Sequence, residues 1–164
     1  MKKFILNILI LITIIFIPNT ANAADYNYVI DNANLLKETT KEYVERYSSF
    51  IQENNKFNYY IVTEKTLGVY TLEELTDSYY DQLNIGKKGI LIIYVKDKQA
   101  IRIKVGESIA HIINDQVIQE HINKYILPFL KNQEVDEGIL NGYKSLYKII
   151  CMIRSAGWGK EGNK

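Results

Sequence analysis

The chain has 164 residues, of which 20 are Lys or Arg and 19 are Asp or Glu, so its formal net charge at pH 7 is +1. This near-neutral balance gives no overall positive field, which excludes nucleic acid binding through a general basic surface. With Cys151 as its single cysteine, the chain has no internal disulfide, so the fold depends on its hydrophobic core.

Residues 1–23 have the pattern of a secretory signal peptide. Lysines precede an apolar run at residues 4–17, Pro18 interrupts it, and the small residues "ANA" form a cleavage site. We predict cleavage near Ala23 and export of residues 24–164 to the periplasm or the extracellular space. The alternative is a retained anchor, but the apolar run is short for a bilayer span of about 20 residues. No later segment is apolar enough for a transmembrane helix, so none is predicted after cleavage.

The first predicted elements of the exported part are a strand, a helix and a second strand. "YVI", residues 28–30, predicts a short strand, and a polar turn begins at Asp31. Apolar positions in "KEYVERYSSFIQENN" then recur at helical spacing. "FNYYIVTE", residues 57–64, is rich in β-branched and aromatic residues and predicts a strand.

A second helix and a hairpin follow. Thr71 and Glu74 have the spacing of a capping box, and Gly86 lies just past the end of the helical pattern. "GILIIYV", Gly89 to Val95, is apolar on both faces and predicts a central strand. The turn "KDKQ" and the alternating run "AIRIKV" complete a predicted hairpin.

Two helices are predicted after Gly106. Pro128 is expected to end or kink the first of them. The second, about Asp136 to Ile153, carries Gly138 and Gly142, which we expect to allow close helix packing. The order of elements predicts an α/β fold, an α/β/α sandwich with a central mixed sheet of about four strands and helices on both faces. Residues 24–153 form one predicted domain, and residues 154–164 a flexible tail.

Several segments together resemble the TPM domain, a family found in the thylakoid lumen and in bacterial envelopes. They are "YVIDNANLL", "IGKKGILIIYVKDKQAIRIKVG", "IIND" and "YILPFLKNQEVDEGILNGYKSL", in the family's order and spacing. The resemblance covers about Tyr28 to Ile150 and implies an α/β/α sandwich. It also implies one of several functions: acid phosphatase, divalent-metal binding, or help in repair or assembly of membrane complexes without chemistry.

Three aspartates in predicted loops are the metal ligands that the resemblance suggests. Asp31 matches the Asp of an N-terminal V-x-D pattern, Asp97 falls in the hairpin turn, and Asp115 matches the Asp after the glycine loop. Brought together, they would suit Ca²⁺ or Mg²⁺, which prefer oxygen ligands. The alternative is structural, because Asp31 and Asp97 suit turns and Asp115 suits the first turn of a helix. No organic cofactor is predicted.

The glycine loop departs from the family pattern. TPM domains usually read Gly-x-Gly-x-Glu here, whereas this chain has Gly106, Ser108 and Ala110 at those positions. Glu107 lies three positions early for the missing carboxylate. If that carboxylate is a ligand or a catalytic group, its loss moves the prediction away from an enzyme.

Lys98 and Arg102, near the hairpin, are candidate residues for binding a phosphate or an anionic headgroup. The alternative is that they protect an exposed strand edge from aggregation. The sequence has no G-x-S-x-G elbow and no Walker loop, and its two histidines lack metal-pair spacing, so no catalytic residue is identified.

These patterns favour an exported, non-catalytic interaction module, with a divalent metal as a candidate ligand, that supports assembly or maintenance of an envelope complex. Its expected partner is a protein at the cell envelope and not a nucleic acid. An exposed cluster among the 13 tyrosines would support such a partner. The alternative function is a divalent-metal-dependent acid phosphatase built on Asp31, Asp97 and Asp115.

Overall fold

The structure, a computed structural model, describes residues 27–155. The predicted signal peptide and residues 156–164 of the predicted tail lie outside the described residues. The described elements are β1 (Val29–Asp31), α1 (Glu38–Asn55), β2 (Asn58–Glu64), α2 (Leu72–Gln82), β3 (Gly89–Val95), β4 (Ala100–Val105), α3 (Asp115–His121), a π-helical segment (Ile122–Ile126), α4 (Leu127–Lys131) and α5 (Val135–Ser155).

The four strands form one mixed sheet in the order β1-β2-β3-β4. The first three strands are parallel, and β4 returns antiparallel to β3, with Ile92 opposite Ile103. Every residue of β3 is buried, as its apolar sequence on both faces predicts. The turn at residues 96–99 closes the predicted hairpin.

Helices cover both faces of the sheet, which confirms the predicted α/β class and sandwich. Ile90 and Ile92 of β3 belong to the core cluster that includes residues of α1 and α5. Leu91 and Ile93, which alternate with them, belong to a second cluster with residues of α2. The capping box that starts α2 is present, with Thr71 and Glu74 each bonding the other's backbone.

The two parallel connections cross the sheet on opposite faces. The β1–α1–β2 connection packs on one face and the β2–α2–β3 connection on the other. Both connections move in the same direction across the sheet but lie on opposite faces. One crossover is therefore right-handed and the other left-handed. The loops that leave the carboxyl ends of β1 and β2 therefore diverge.

Of the two outcomes predicted for Pro128, an end or a kink, the structure excludes the end, because the helix continues to Lys131. The backbone N–H of Leu127 donates to the oxygen of Ile122, a five-residue spacing that makes a π-helical turn. Pro128 then falls in the first turn of α4, where a missing N–H costs no helical hydrogen bond.

The predicted close packing of α5 at its glycines is confirmed. A Cβ added to Gly142 would lie 2.5 Å from Cδ1 of Ile126, and one added to Gly138 would lie 3.2 Å from the Ile126 oxygen. Normal carbon contacts are about 3.5–4.0 Å, so the glycines allow α5 to lie directly against the π-helical segment.

Candidate functional site

The carboxyl ends of β1 and β2 are the first place to look for a site. Open α/β sheets bind ligands where the loops from adjacent strands part to opposite faces. Asp31 is the last residue of β1 and is paired in register with Thr63, one residue before the end of β2. Polar side chains from both strand ends therefore meet at this crevice, which we call the strand-end crevice.

Asp31 lies in this crevice with all of its acceptor capacity in use. Its Oδ1 accepts from the Leu35 N–H at 3.0 Å and from the Thr63 hydroxyl, and its Oδ2 accepts from the Leu36 N–H at 3.0 Å. Lys41 Nζ lies 3.4 Å from Oδ2, and the Asp31 side chain is only 5% exposed. A carboxylate has about four lone-pair sites. Asp31 thus orders the β1–α1 loop and presents no free oxygen to a metal.

The electrostatics of Asp31 agree with this structural role. Burial opposes its ionisation, but the hydrogen bonds from Leu35, Thr63 and Leu36 and the charge of Lys41 outweigh burial and hold the pKa of Asp31 below its usual value. The carboxylate is therefore ionised at neutral pH, and its role is to stabilise the folded loop.

Beside Asp31, the crevice contains a polar group that the sequence did not single out. Asn32 Nδ2 donates to Glu64 Oε1 at 2.6 Å and lies 3.3 Å from the Tyr79 hydroxyl, which also donates to Glu64 Oε1. Burial and the bond to Glu64 raise the pKa of Tyr79 to about 12, so the hydroxyl stays protonated at neutral pH. This group supplies one carboxylate held by two neutral donors, which suits binding and offers no strong base.

Asp97 and Asp115 occupy other places in the structure. Asp97 is exposed in the β3–β4 turn, where its backbone N–H donates to the Lys65 oxygen at 3.1 Å. Asp115 is exposed at the start of α3, after Asn114, whose Oδ1 accepts from the Val117 N–H at 3.0 Å.

The predicted ligands do not form one metal site in the described structure. Across residues 27–155, no group of three or more His, Cys, Asp or Glu side chains is placed to hold a metal ion. Asp31, with its oxygens engaged by its neighbours, does not fit as a cation ligand. Metal binding through Asp31, Asp97 and Asp115 stays a prediction, and no chemical step is derived from it.

The two candidate anion-binding residues also differ in their surroundings. Lys98 is exposed in the β3–β4 turn. Arg102 lies on β4 and donates from Nη2 to Glu73 Oε1 at 3.0 Å, while Lys104 donates to Asp77 Oδ1 at 2.8 Å. These two pairs tie β4 to α2, so part of the charge of Arg102 is already balanced. Anion binding by Lys98 and Arg102 stays a prediction.

The glycine loop forms a tightly packed corner at the other end of the sheet. A Cβ on Gly106 would lie 2.3 Å from the Lys87 oxygen. The Gly106 N–H donates to the Gly89 oxygen at 2.8 Å, and the Ser108 N–H donates to the Lys87 oxygen at 3.1 Å. Glu107 pairs with Lys87 through exposed side chains. Gly106 is required here by the close approach of two backbones.

Comparison with known proteins identifies the family. The TPM domain model matches residues 29–149. The chain belongs to the TPM domain family. No curated protein matches it. Among residues 27–155, no helix of this TPM domain is long and apolar enough to cross a membrane.

Solved structures share the fold at low sequence identity. The N-terminal domain of a protein from P. gingivalis matches with a TM-score of 0.73 and 19% identity, over 87% of this chain and 91% of that one. The N-terminal domain of the cg2496 protein from Corynebacterium glutamicum matches with a TM-score of 0.57 and 12% identity, over 90% and 89% of the two chains. The BA42 protein from Bizionia argentinensis matches with a TM-score of 0.59 and 16% identity, over 71% and 82%. At these identities, the matches show the fold alone.

The sequence offered a partial signal for the strand-end crevice. Asn32 follows the first predicted strand and Glu64 ends the second, and the carboxyl ends of parallel strands converge at one edge of a sheet. Tyr79 had no such signal, because it lies on a helix, 47 positions from Asn32.

Proposed function

We propose that this TPM domain is an exported, non-catalytic interaction module that supports assembly or maintenance of an envelope complex. The observation that carries the proposal is the state of Asp31, whose two oxygens are taken up by backbone, hydroxyl and ammonium groups of the domain itself. A family member whose best-placed acidic residue is used for loop structure is better suited to binding than to catalysis. The signal-peptide pattern of residues 1–23 supports export.

The Ser–His contact in the described structure supports the same conclusion. Ser145 Oγ lies 2.9 Å from Nδ1 of His121, a distance that would suit a nucleophile and its base. However, the Ser145 hydroxyl donates to the Gly142 oxygen at 2.8 Å, so its proton is directed away from the imidazole. Burial also lowers the pKa of His121, which leaves a neutral ring that joins two helices.

The test combines fractionation with an assay for the alternative function. Protein purified after expression of the full chain is assayed with p-nitrophenyl phosphate in the presence of Mg²⁺, Ca²⁺ or a chelator. In parallel, cells that express a C-terminally tagged chain are fractionated and treated with a chemical cross-linker. We expect recovery outside the cytoplasm, discrete cross-linked adducts in the envelope fraction, and no metal-dependent hydrolysis.

Asp97→Asn is the test variant, because Asp97 is exposed, and Lys131→Gln, at an exposed position elsewhere, is the control. Metal-dependent hydrolysis that is lost in Asp97→Asn and kept in Lys131→Gln would refute the non-catalytic proposal and establish the phosphatase. Cytoplasmic retention of the tagged chain would refute export. Absence of any specific adduct would refute the interaction role.

A further inference from the structure

A concave surface lies among the helices, away from the strand-end crevice. It is a cavity of about 390 Å³ between α1, the π-helical segment and α5. We call it the tyrosine cleft and define it by Tyr43, Tyr125, Asn141, Lys144, Tyr147 and Lys148. Ligand pockets for small molecules are usually about 300–1,000 Å³, so the cleft can take a ring with one substituent group.

The charge of the cleft is positive. Its lining includes two lysines and no Asp or Glu. Lys144 Nζ lies over the ring of Tyr43, 4.7 Å from its centre, so the ammonium contacts the aromatic lining of the cleft. Within residues 27–155, neither Lys144 nor Lys148 forms an ion pair with a carboxylate. Among the described residues, the two cations of the cleft therefore have no ion-pair partner.

The aromatic wall of the cleft is held in place from behind. Tyr43 contacts Tyr47 with ring centres 4.3 Å apart, and Tyr47 meets Tyr147 edge-on at 5.3 Å. Tyr143 lies behind both walls and stacks on Tyr59 of the sheet at 4.2 Å. Because these rings are packed against one another down to the sheet, the cleft needs little reordering to receive a flat ligand.

The hydroxyl groups of Tyr43 and Tyr147 stay protonated at neutral pH, and each bonds to a neighbouring side chain, Tyr47 or Cys151. Burial, with Tyr47 nearby, raises the pKa of Tyr43, and burial together with Cys151 raises the pKa of Tyr147 to about 12. Asn141 adds an amide, although its Nδ2 also donates to the Glu137 oxygen at 2.8 Å. The ammonium groups of Lys144 and Lys148 are therefore the donors available to a ligand, and they favour an anion with acceptor oxygens.

We propose that the tyrosine cleft binds a ring compound that carries a phosphate-type anion, such as a phosphorylated sugar or an aryl phosphate. The tyrosine rings contact the flat or cyclic body, and Lys144 and Lys148 contact the anion as point charges. The lining contains no arginine, so the expected contacts to the anion are those of the two lysine ammonium groups. This inference goes beyond the proposed function, because it requires neither export nor an envelope partner.

The experiment uses phenylphosphonate as the probe. Its carbon–phosphorus bond resists phosphatases, so binding is measured even if the domain were to hydrolyse phosphate esters. Protein purified after expression of the full chain is titrated by calorimetry and by amide NMR. We expect saturable binding at one site, with the largest shifts in the cleft segments of α1 and α5 and around Tyr125.

Inorganic phosphate and benzyl alcohol test the two halves of the probe separately. Each is expected to bind at least about tenfold more weakly than phenylphosphonate, because each lacks either the ring contacts or the charge-assisted bonds. If inorganic phosphate or benzyl alcohol binds as tightly as the whole probe, the proposal is wrong.

Matched variants locate the charges. The double variant Lys144→Gln, Lys148→Gln keeps most of the side-chain length and is expected to weaken binding by about tenfold or more. The control pair Lys65→Gln, Lys131→Gln removes the same charge from exposed positions elsewhere and is expected to bind normally. An equal loss of binding in the double variant and in the control pair would show a general effect of charge. Loss in Lys98→Gln alone would move the site to the β3–β4 turn; either result overturns the proposal.

Two further probes separate the sources of such a ligand. Glucose 6-phosphate represents a free phosphosugar, and vesicles containing phosphatidylinositol represent the same chemistry on a lipid. Binding to either one that is lost in the double lysine variant supports the proposal and assigns the source. If neither of these two probes binds and phenylphosphonate does not bind either, the proposal is wrong.

Discussion

The close approach at Gly106 makes a substitution with a calculable cost. In Gly106→Ala, the new Cβ would lie 2.3 Å from the Lys87 oxygen and 2.7 Å from the Gly86 oxygen. Both of these are backbone atoms, so no side-chain rotation relieves the contact. The loop before β3 and the corner after β4 must move apart by about 1 Å to reach ordinary van der Waals separation.

That movement would break specific hydrogen bonds, and their loss sets the expected decrease in the free energy of unfolding. The Gly106 N–H to Gly89 oxygen bond of 2.8 Å and the Ser108 N–H to Lys87 oxygen bond of 3.1 Å both span the two segments. Each is worth about 1 kcal/mol net, and overpacking typically adds about 1–3 kcal/mol. We therefore expect Gly106→Ala to lower the free energy of unfolding by about 3–5 kcal/mol, a large part of the total for one domain.

Gly68→Ala is the matched control. Gly68 has a φ of +61° but no atom within 4 Å of an added Cβ, so the same substitution tests backbone strain without a clash. Its expected cost is about 1–2 kcal/mol. Urea unfolding followed by far-UV circular dichroism measures both variants. If Gly106→Ala costs no more than Gly68→Ala, the corner has room for a side chain and the reasoning fails.

Two other substitutions test the crevice and the helix packing. Because the folded-state pKa of Asp31 is lowered, its stabilising effect is present above its ordinary pKa of about 3.9 and is lost as the pH falls below that value. Asp31→Asn should therefore reduce the acid-induced loss of stability measured by urea unfolding at stepped pH, and an unchanged slope would contradict the role of its bonds. Gly142→Ala should cost about 2 kcal/mol in the native background but much less in Ile126→Ala, where the atoms it meets are gone; additive costs in this double-mutant cycle would contradict the close packing.

Features that depend on a few neighbouring residues were predictable from the sequence. The capping box of Thr71 and Glu74 and the buried strand Gly89–Val95 are such features, because helix capping and apolar patterning act over a few positions. The π-helical turn before Pro128 was not predictable in this way. A five-residue hydrogen bond is poor by itself and persists here where Ile122 and Ile126 pack into the core.

The candidate site was predictable only in part. The sequence placed Asp31 in a turn, but it did not show that Thr63 and Lys41 would occupy its oxygens, since these contacts come from a neighbouring strand and a helix. The contact between Asn32 and Tyr79 joins residues 47 positions apart. The tyrosine cleft arises where three helices meet, so its residues carry no shared motif.

The order of the strands across the sheet bears on how the domain folds. Each strand pairs with its neighbour in the chain, so every pairing in the sheet is between consecutive strands. The face that carries Tyr59 is covered by α1 and by α5, which brings Tyr143 against the Tyr59 ring. A bond between the Lys37 N–H and Asp136 Oδ1, across 99 positions, then joins the two ends of the domain. A chain that ended before α5 would therefore expose the Tyr59 ring and lose this link between the two ends of the domain.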